Sequence, residues 1–351
     1  MTNDVAGRIF ALNTADAYFL TSDVNVAYAT GFSGDSSELL LAGGKAYFFT
    51  DSRYTLQAQK DISPEVELIT TGAPDRIPAI TEKLKAHKVK SLAVEKDSLT
   101  VKRMDAYAKG FNCRDYSDIS AELLTMRSIK TAGELNKISR AAKGNETVLK
   151  ELLKRIKAGI SEYDVKAELL YLTYKNGMEP AFDPIVAAGL NSALPHATTT
   201  ENIIKNGDML TIDFGCKYRG YCSDMTRTFG VGDVDAELKK IYYIVKSAQE
   251  AALEIAGPGV KAADADRAAR DVIARGGYGD YYKHGTGHGV GLDIHELPVL
   301  GPNSKDLIAE GMVYTVEPGI YVGGLGGVRI EDMCVNAGNF YTFSKELILI
   351  Q

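Results

Sequence analysis

The sequence has few of the features that mark secreted, membrane-bound or nucleic-acid-binding proteins. No run of about 18 apolar residues is uninterrupted, which excludes a typical membrane-spanning helix. The start, MTNDVAGRIF, has no basic region followed by an apolar stretch, so no secretory signal is predicted. The net charge of −6 and the lack of a dense basic run argue against a nucleic-acid partner. We therefore expect a cytoplasmic protein with no membrane contact.

Cysteine and histidine are also scarce. The four cysteines form no CxxC pair, so we expect buried free thiols. Only five histidines occur, yet three of them fall between Tyr282 and Pro298, in YKHGTGHGVGLDIHELP. A lone histidine such as His87, at a predicted helix end, is expected to be solvated. Three imidazoles separated by glycines, which disfavour a helix, instead indicate an extended segment suited to metal ligation or proton transfer.

The remaining composition is that of an ordinary globular protein. Apolar residues make up 45% and charged residues 25% of a chain of 351 residues, enough for two domains or one large one. Up to about Leu124 short predicted strands and helices alternate. Glu38–Leu41 and Lys45–Thr50 flank Gly43-Gly44, which predicts a β-hairpin because glycine tolerates the positive φ of tight turns. This part should form a compact α/β unit.

A second pattern begins near Met126, where two predicted helices are followed by strands and the same order then recurs. Ser161-Glu-Tyr-Asp164 resembles a capping box at the start of the second of these helices. The predicted helices, from apolar spacing, are Glu134–Ile156, Ser161–Lys175, Leu238–Ile255 and Ala262–Arg275. The predicted strand regions are Phe182–Gly189, Gly207–Gly230, Met312–Glu317 and Val328–Val335.

The two halves of this part match over nine positions. GDMLTIDFG at Gly207–Gly215 aligns with GMVYTVEPG at Gly311–Gly319, with glycine at both ends and threonine at the same place in each. An acid stands at the same position of both stretches, as Asp213 and as Glu317. Chance similarity is the alternative over so short a stretch, but a duplicated unit explains the match better.

A second acid follows each of these two. An acid inside an apolar strand is costly unless it is paired, hydrogen-bonded or metal-bound, the alternative being a solvent-facing place on an edge strand. If the chain reverses at Tyr218-Arg219, Asp224 lies directly opposite Asp213 in a hairpin, with Cβ atoms about 5 Å apart. Carboxylates at that distance repel each other unless a cation lies between them. In the second copy, Glu331 follows Glu317 beyond a glycine-rich turn.

Four carboxylates and one imidazole, with His288 as the candidate, would form a site rich in oxygen ligands. Such a ligand set suits Mn²⁺ or Co²⁺ better than a thiolate zinc site does. We expect Mn²⁺ first, with Co²⁺ or Zn²⁺ as the alternatives. Two ions roughly 3.5–4 Å apart and bridged by carboxylates can share a hydroxide as nucleophile. The sequence therefore predicts hydrolysis at a dinuclear metal centre.

The motifs TIDFG, CSDMTRT, HGTGHGVGLDIHE, VEPG and RIED, in this order, resemble those of the pita-bread metallopeptidases, in the aminopeptidase P and prolidase branch. The resemblance covers the whole chain. It implies an α/β (α+β) fold, with a creatinase-type N-terminal domain over residues 1–125 and a pita-bread catalytic domain with an internal pseudo-twofold repeat over residues 126–351. It makes five residues the ligands of two divalent metal ions: Asp213, Asp224, His288, Glu317 and Glu331.

The resemblance also implies roles beyond metal binding. Glu317 would act as general acid and base on the hydroxide that bridges the ions. His196 and His295 are similar to the histidines that hold the scissile carbonyl and stabilise the tetrahedral intermediate. His284 matches a histidine that lines the proline site, and Arg329 resembles a residue that orients a metal carboxylate. For the aromatic Phe182, a wall of the substrate pocket and a place in the core are the two alternatives.

Substrates implied by the resemblance are peptides with proline in second position, cleaved at the Xaa-Pro bond. Proline has no N–H and a fixed φ, so peptidases that grip an extended chain lose a donor there. Some prolidases carry a basic residue directly after the HExP tetrad, where this chain has Val299-Leu300. We therefore predict an aminopeptidase P-like enzyme that accepts longer peptides, with prolidase as the alternative.

Three other proteins of this fold are weaker alternatives. Methionine aminopeptidase lacks the N-terminal domain, whereas creatinase and the non-catalytic binding proteins lack the metal ligands that this chain has. The resemblance further suggests a homodimer in which the N-terminal domain caps the partner's site. YATGFSG (Tyr28–Gly34) and TDSRY (Thr50–Tyr54) are the candidate contacts, or else are ordinary loops.

Overall fold

The computed structural model describes residues 5–336, 338–340 and 343–351. The chain divides into two compact units, Met1–Met126 and Arg127–Gln351. Within the described residues, every helix is too short or too polar to span a lipid bilayer. All four cysteines are free, and three of them are buried.

The first unit is built around one mixed sheet of six strands. Its elements, the last of which ends just past the boundary, are α1 (Val5–Phe10), β1 (Ala17–Leu20), α2 (Asp23–Thr30), β2 (Glu38–Ala42), β3 (Lys45–Thr50), α3 (Thr55–Asp61), β4 (Glu67–Thr70), α4 (Ala73–Ala86), β5 (Ser91–Val94), α5 (Val101–Phe111), β6 (Asp115–Asp118) and α6 (Ser120–Ser128). The strand order is β4-β3-β2-β1-β5-β6. The predicted hairpin is confirmed, since β2 and β3 pair antiparallel and both Gly43 and Gly44 have positive φ.

The prediction that His87 is simply solvated is wrong. Its imidazole is partly buried, and its Nε2 lies 2.7 Å from the hydroxyl of Tyr47. A Cβ atom on Gly43 would lie 2.1 Å from the Nδ1 of His87, so the hairpin turn leaves room for the ring only because glycine has no side chain. His87 therefore has a packing role in the first unit.

The second unit contains the predicted order of two helices and then strands, twice. Its elements are α7 (Ala132–Leu152), α8 (Glu162–Lys175), β7 (Glu179–Pro180), β8 (Ile185–Ala188), β9 (Met209–Phe214), β10 (Cys216–Tyr218), β11 (Tyr221–Cys222), β12 (Met225–Val231), α9 (Ala236–Ile255), α10 (Ala262–Arg275), β13 (Gly287–Gly289), β14 (Glu296–Leu300), β15 (Val313–Val316), β16 (Gly319–Val322), β17 (Gly326–Arg329), β18 (Asp332–Val335), β19 (Gly338–Asn339) and β20 (Leu349–Ile350). Short 3₁₀ helices span Gly189–Ala193 and Gly279–Tyr281.

Each helix pair packs against its own strands. One apolar cluster joins α7 and α8 to β8, β9 and β12, and a second joins α9 and α10 to β15, β16 and β17. The capping box at Ser161 is present, with the backbone N–H of Asp164 donating to the serine hydroxyl. Gly207 and Gly311, the first residues of the matched stretches, both have positive φ, at 97° and 83°. The two halves therefore share backbone conformation as well as sequence.

The hairpin that carries Asp213 has a register different from the predicted one. The turn is formed by Arg219-Gly220, both with positive φ, one residue later than expected. Thr226 therefore lies opposite Asp213, and the prediction that Asp224 lies directly opposite is wrong. Because the register shifts by two residues, Asp224 becomes a diagonal neighbour on the same face.

The predicted strand Val328–Val335 is two strands. β17 ends at Arg329 and β18 begins at Asp332, so Ile330-Glu331 is a break between two sheets. The predicted strand from Phe182 likewise begins only at Ile185. No glycine or proline marks the break at Ile330-Glu331, whereas Pro184 was an available signal for the later start at Ile185.

Candidate metal centre

The four predicted carboxylates come from strand ends of the two related halves. Asp213 is the fifth residue of β9, Asp224 lies between β11 and β12, Glu317 follows β15, and Glu331 lies in the break between β17 and β18. Strand β13 carries His288 and pairs with β15. The fold thus brings all five predicted ligands to one place.

The tightest group is Asp224, His288 and Glu331, each of which offers a ligand atom within 4.8 Å of the others. The Nε2 of His288 lies 3.6 Å from Asp224 Oδ2 and 3.3 Å from Glu317 Oε1. Asp213 stands beside them, where the Nη2 of Arg329 donates to its Oδ2 at 2.6 Å. This guanidinium contacts the predicted ligand Asp213, and its role in orienting a metal carboxylate stays a prediction.

Two glycines let the histidine strand come this close. A Cβ atom on Gly287 would lie 2.0 Å from the carbonyl oxygen of Thr315, and one on Gly289 would lie 2.1 Å from that of Leu297. Any side chain at either position would push β13 away from its neighbours. The glycines around His288 therefore place its imidazole among the carboxylates.

Burial and mutual repulsion dominate the electrostatics of the site. Burial, followed by the charge of Glu331, raises the pKa of Asp224 well above its usual value, and burial followed by the charge of Glu317 does the same for Glu331. Burial also opposes ionisation of Glu317, but the hydrogen bond and charge of His288 lower the pKa of Glu317 to about 2. Burial opposes the cationic form of His288, but the hydrogen bond and charge of Glu317 raise the pKa of His288 to about 9.

The residues present fit a divalent metal. Among the described side chains, three buried carboxylate oxygens of this site have no hydrogen-bond donor: Asp213 Oδ1, Asp224 Oδ1 and Glu331 Oε1. Buried acceptors without a donor are costly, and a cation supplies the missing partner. Oxygen atoms with one imidazole nitrogen are a ligand set for Mn²⁺-type ions and not for a thiolate site.

The other predicted histidines surround the cluster. The ring of His295 lies 4.4 Å from that of His288, centroid to centroid. The Nε2 of His284 is 3.0 Å from the hydroxyl of Tyr321, which also accepts a hydrogen bond from Arg329. His196 is exposed, and the carbonyl of the preceding Pro195 accepts a hydrogen bond from Arg329 at 3.1 Å.

Phe182 is partly buried beside the strand that carries Asp213. A Cβ atom on Gly215 would lie 3.0 Å from the ring of Phe182, so this ring packs against the end of β9. The structure therefore places it near the candidate site and also in contact with the backbone of the core.

Several residues that orient the site were missed by sequence reasoning. The Thr226 hydroxyl donates to Glu331 Oε2 at 2.7 Å, and that of Thr315 donates to Glu317 Oε1 at 3.1 Å. Thr315 also accepts from the backbone N–H of His288. The match of threonines in the repeat was the available signal for Thr315, whereas no sequence signal separates Thr226 from other strand threonines.

A buried ion cluster holds the segment that carries His295. Glu296 contacts both Arg127 and Lys130, and its Oε2 lies 3.0 Å from Lys130 Nζ with both side chains 1% exposed. Burial opposes ionisation of Glu296, but the two cations lower its pKa below the usual value. The backbone next to His295 is thereby fixed.

Buried carboxylates whose oxygens lack donors, grouped with one imidazole, form the kind of site that a metal-dependent enzyme has. The Metallopeptidase family M24 model matches residues 136–336, and the Creatinase/Prolidase N-terminal domain model matches residues 7–129. The chain belongs to metallopeptidase family M24. The predicted family, fold class and enzyme class are confirmed.

Relatives with similar sequences cover nearly the whole chain. The uncharacterized peptidase YqhT of Bacillus subtilis is 39% identical over 98% of both chains. The solved structure of an Xaa-Pro dipeptidase from Bacillus anthracis superposes with a TM-score of 0.93 at 37% identity and 98% coverage of both chains. An X-Pro aminopeptidase from Thermotoga maritima has a TM-score of 0.92 at 34% identity, covering 99% of this chain and 100% of its own.

Proposed function

We propose that this protein is a dinuclear metal-dependent exopeptidase that cleaves the bond between a peptide's first residue and a proline in second position. The observation that carries the proposal is the buried carboxylate cluster, in which three oxygens lack a donor beside the imidazole of His288. Similar proteins named Xaa-Pro dipeptidase and X-Pro aminopeptidase support the substrate class. Mn²⁺ is the ion that we propose for the oxygen-rich ligand set.

Asp213, Asp224, His288, Glu317 and Glu331 would hold the two ions. When bound, such ions lower the pKa of a water molecule and polarise a carbonyl group. Glu317, whose carboxylate lies against His288, is the proposed general base and acid: it takes a proton from the attacking water and passes it to the proline nitrogen that leaves.

The histidines act on the substrate. Burial, and then the neighbouring His288, lower the pKa of His295, so a neutral ring can donate one N–H to the scissile carbonyl oxygen. His196 approaches the same oxygen from its exposed loop. His284, held by Tyr321, lines the proline side. Arg329 keeps Asp213 oriented towards the metal site.

Substrate length separates the two candidate functions. Val299, which follows the HExP tetrad, is 49% exposed and carries no charge, so it offers no partner for a dipeptide's carboxylate. We therefore propose an aminopeptidase that accepts peptides longer than two residues. Prolidase is the second candidate, because the solved dipeptidase from Bacillus anthracis is as similar to this chain as the aminopeptidase is.

Rates on matched substrates decide between these functions. We expect kcat/KM under Mn²⁺ to be higher for Xaa-Pro-Yaa than for Xaa-Pro with the same first residue. In the dipeptide the proline carries the free C-terminal carboxylate, and Val299 offers that carboxylate no cation. A parallel assay with Co²⁺ separates metal preference from substrate preference. Activity on dipeptides alone would establish prolidase, and a peptide with alanine in second position serves as the control.

The assignment of residues 1–125 to an N-terminal domain and 126–351 to the catalytic domain is part of the proposal, as are a homodimer and a cytoplasmic location. The contact of YATGFSG and TDSRY with a partner stays a prediction. Light scattering of the purified protein measures the oligomeric state.

A further inference from the structure

Glu162, the first residue of α8, is a completely buried carboxylate that contacts no cation among the residues that the structure describes. Its exposed fraction is 0%. Acids are rarely this buried unless they are paired or bound to several donors. Sequence reasoning placed it within a helix cap but gave it no role, and it is not one of the metal ligands.

Five hydrogen bonds satisfy this carboxylate, and every partner is a donor. Oε1 accepts from the backbone N–H of Ala188 at 2.8 Å and from Asn202 Nδ2 at 3.1 Å. Oε2 accepts from Asn191 Nδ2 at 2.8 Å and from the backbone N–H and hydroxyl of Thr200, at 2.8 and 2.9 Å. Four of the donors are N–H groups and the fifth is the Thr200 hydroxyl, so both oxygens of Glu162 accept hydrogen bonds.

Four of these five donors stand at the two ends of one loop, residues 189–200. Ala188 ends β8 just before the loop, Thr200 ends the loop and Asn202 lies just beyond it, so a single carboxylate closes the base of the loop. The fifth donor, Asn191, lies inside the loop. The backbone N–H of Glu162 also donates to the carbonyl of Asn202 at 3.0 Å. A helix N-terminus favours an anion at this place.

The loop carries His196, and this imidazole has no side-chain hydrogen bond to hold it in the part of the chain that the structure describes. Arg329 donates both to the carbonyl of Pro195, next to His196, and to Asp213 of the metal site, so the loop runs beside that site. An exposed ring without a bonded partner is placed by its backbone alone. The contacts that hold the backbone of the loop therefore also determine the position of His196.

We propose that Glu162 is a positioning residue that holds the loop 189–200, and with it His196, where the scissile carbonyl binds. This inference rests on the proposed peptidase function for its kinetic consequence, but the loop geometry stands without it. Two further contacts, from Arg329 to Pro195 and from Gly327 N–H to Ser192 Oγ, hold the far side of the loop. Glu162 supplies the anchor at its base.

A double-mutant cycle tests this role. Glu162→Gln keeps the size of the side chain but turns one oxygen into a donor that faces other donors. We expect kcat/KM on an Xaa-Pro-Yaa peptide to fall about 100-fold, as for a catalytic group displaced by about 1 Å. In a His196→Ala background the same change should cost less than about 3-fold. Equal losses in both backgrounds would refute the proposal, as would loss of metal in Glu162→Gln.

Matched variants keep the test decisive. Glu168→Gln changes an acid of the same helix that is paired with Arg155, and it should leave kcat/KM unchanged. If Glu162→Gln does not fold, Asn191→Ala serves in its place, because it removes one donor from Glu162 Oε2. Its effect on kcat/KM should also be smaller in the His196→Ala background. An equal loss of kcat/KM with and without His196 would count against the proposed role of Glu162.

Hydrogen–deuterium exchange separates this inference from the proposed function. In Glu162→Gln the amides of residues 189–200 should exchange at least about 10-fold faster than in the wild type, while those of α9 are unchanged. Unchanged exchange in the loop would overturn the anchoring role, whether or not the protein cleaves peptides. A wild-type protein that cleaves no Xaa-Pro peptide would refute only the function.

Discussion

Replacing Asp224 by asparagine should remove bound metal and activity together. Asp224 groups with His288 and Glu331 in the site, and its Oδ1 is one of the oxygens without a donor. An amide oxygen is a weaker, neutral ligand, so we expect kcat/KM on Xaa-Pro peptides to fall about 10³-fold, equivalent to roughly 4 kcal/mol. Elemental analysis of the purified variant measures the metal, and peptide cleavage measures the activity.

Although Asp224→Asn should lose activity, we expect it to be more stable than the wild type once metal has been removed by a chelator. Four buried carboxylates repel one another, so a neutral residue at position 224 should raise the Tm of chelated protein above that of chelated wild type. Wild type should instead gain about 10 °C when Mn²⁺ is returned at a large excess over its Kd, whereas Asp224→Asn should gain far less. Asp233→Asn, which changes an exposed acid paired with Lys239, is the matched control. Full activity in Asp224→Asn would contradict the dinuclear account.

Replacing His295 by alanine should lower turnover and leave the metal in place. The His295 ring lies beside His288 but outside the group of ligand atoms, so its proposed role is a hydrogen bond to the carbonyl oxygen. Loss of one such donor costs about 10²–10³ in kcat. Steady-state kinetics and metal content are measured on the same preparation.

The control for this variant is His87→Ala, which removes a histidine from the first unit. Its activity should equal that of the wild type, although loss of the contact with Tyr47 can lower stability. Loss of metal in His295→Ala would show that the roles of His288 and His295 had been exchanged. Unchanged kcat with normal metal content would remove His295 from the chemistry.

Most of the architecture of the second unit could be predicted from the sequence. Its helices show periodic apolar spacing, and its two halves repeat a short motif. Helical spacing predicted all four long helices of the second unit, and α10 has the predicted bounds, Ala262–Arg275. The matched acids Asp213 and Glu317 pointed to one site, since duplicated halves place equivalent strands at a common centre. Glycines at equivalent positions with positive φ carried the same signal.

What the sequence could not show depends on turns and on tertiary hydrogen bonds. The hairpin was predicted to reverse at Tyr218-Arg219 but reverses at Arg219-Gly220. A turn that is one residue later moves the pairing register by two, so the residue opposite Asp213 is Thr226 and not Asp224. Glu331 was taken as part of one strand because apolar residues continue on both sides of the break. Nothing in the spacing around Glu162 indicates that its five donors lie up to forty positions along the chain.

The central claim is that two divalent ions, held by the buried carboxylates and His288, are needed for cleavage. Titration of chelated wild-type protein with Mn²⁺, with activity on an Xaa-Pro-Yaa peptide and bound metal measured on the same samples, tests it directly. We predict no activity without metal and full activity at two ions per chain. Full activity in chelated protein, or saturation of activity with no bound ion, would contradict the account.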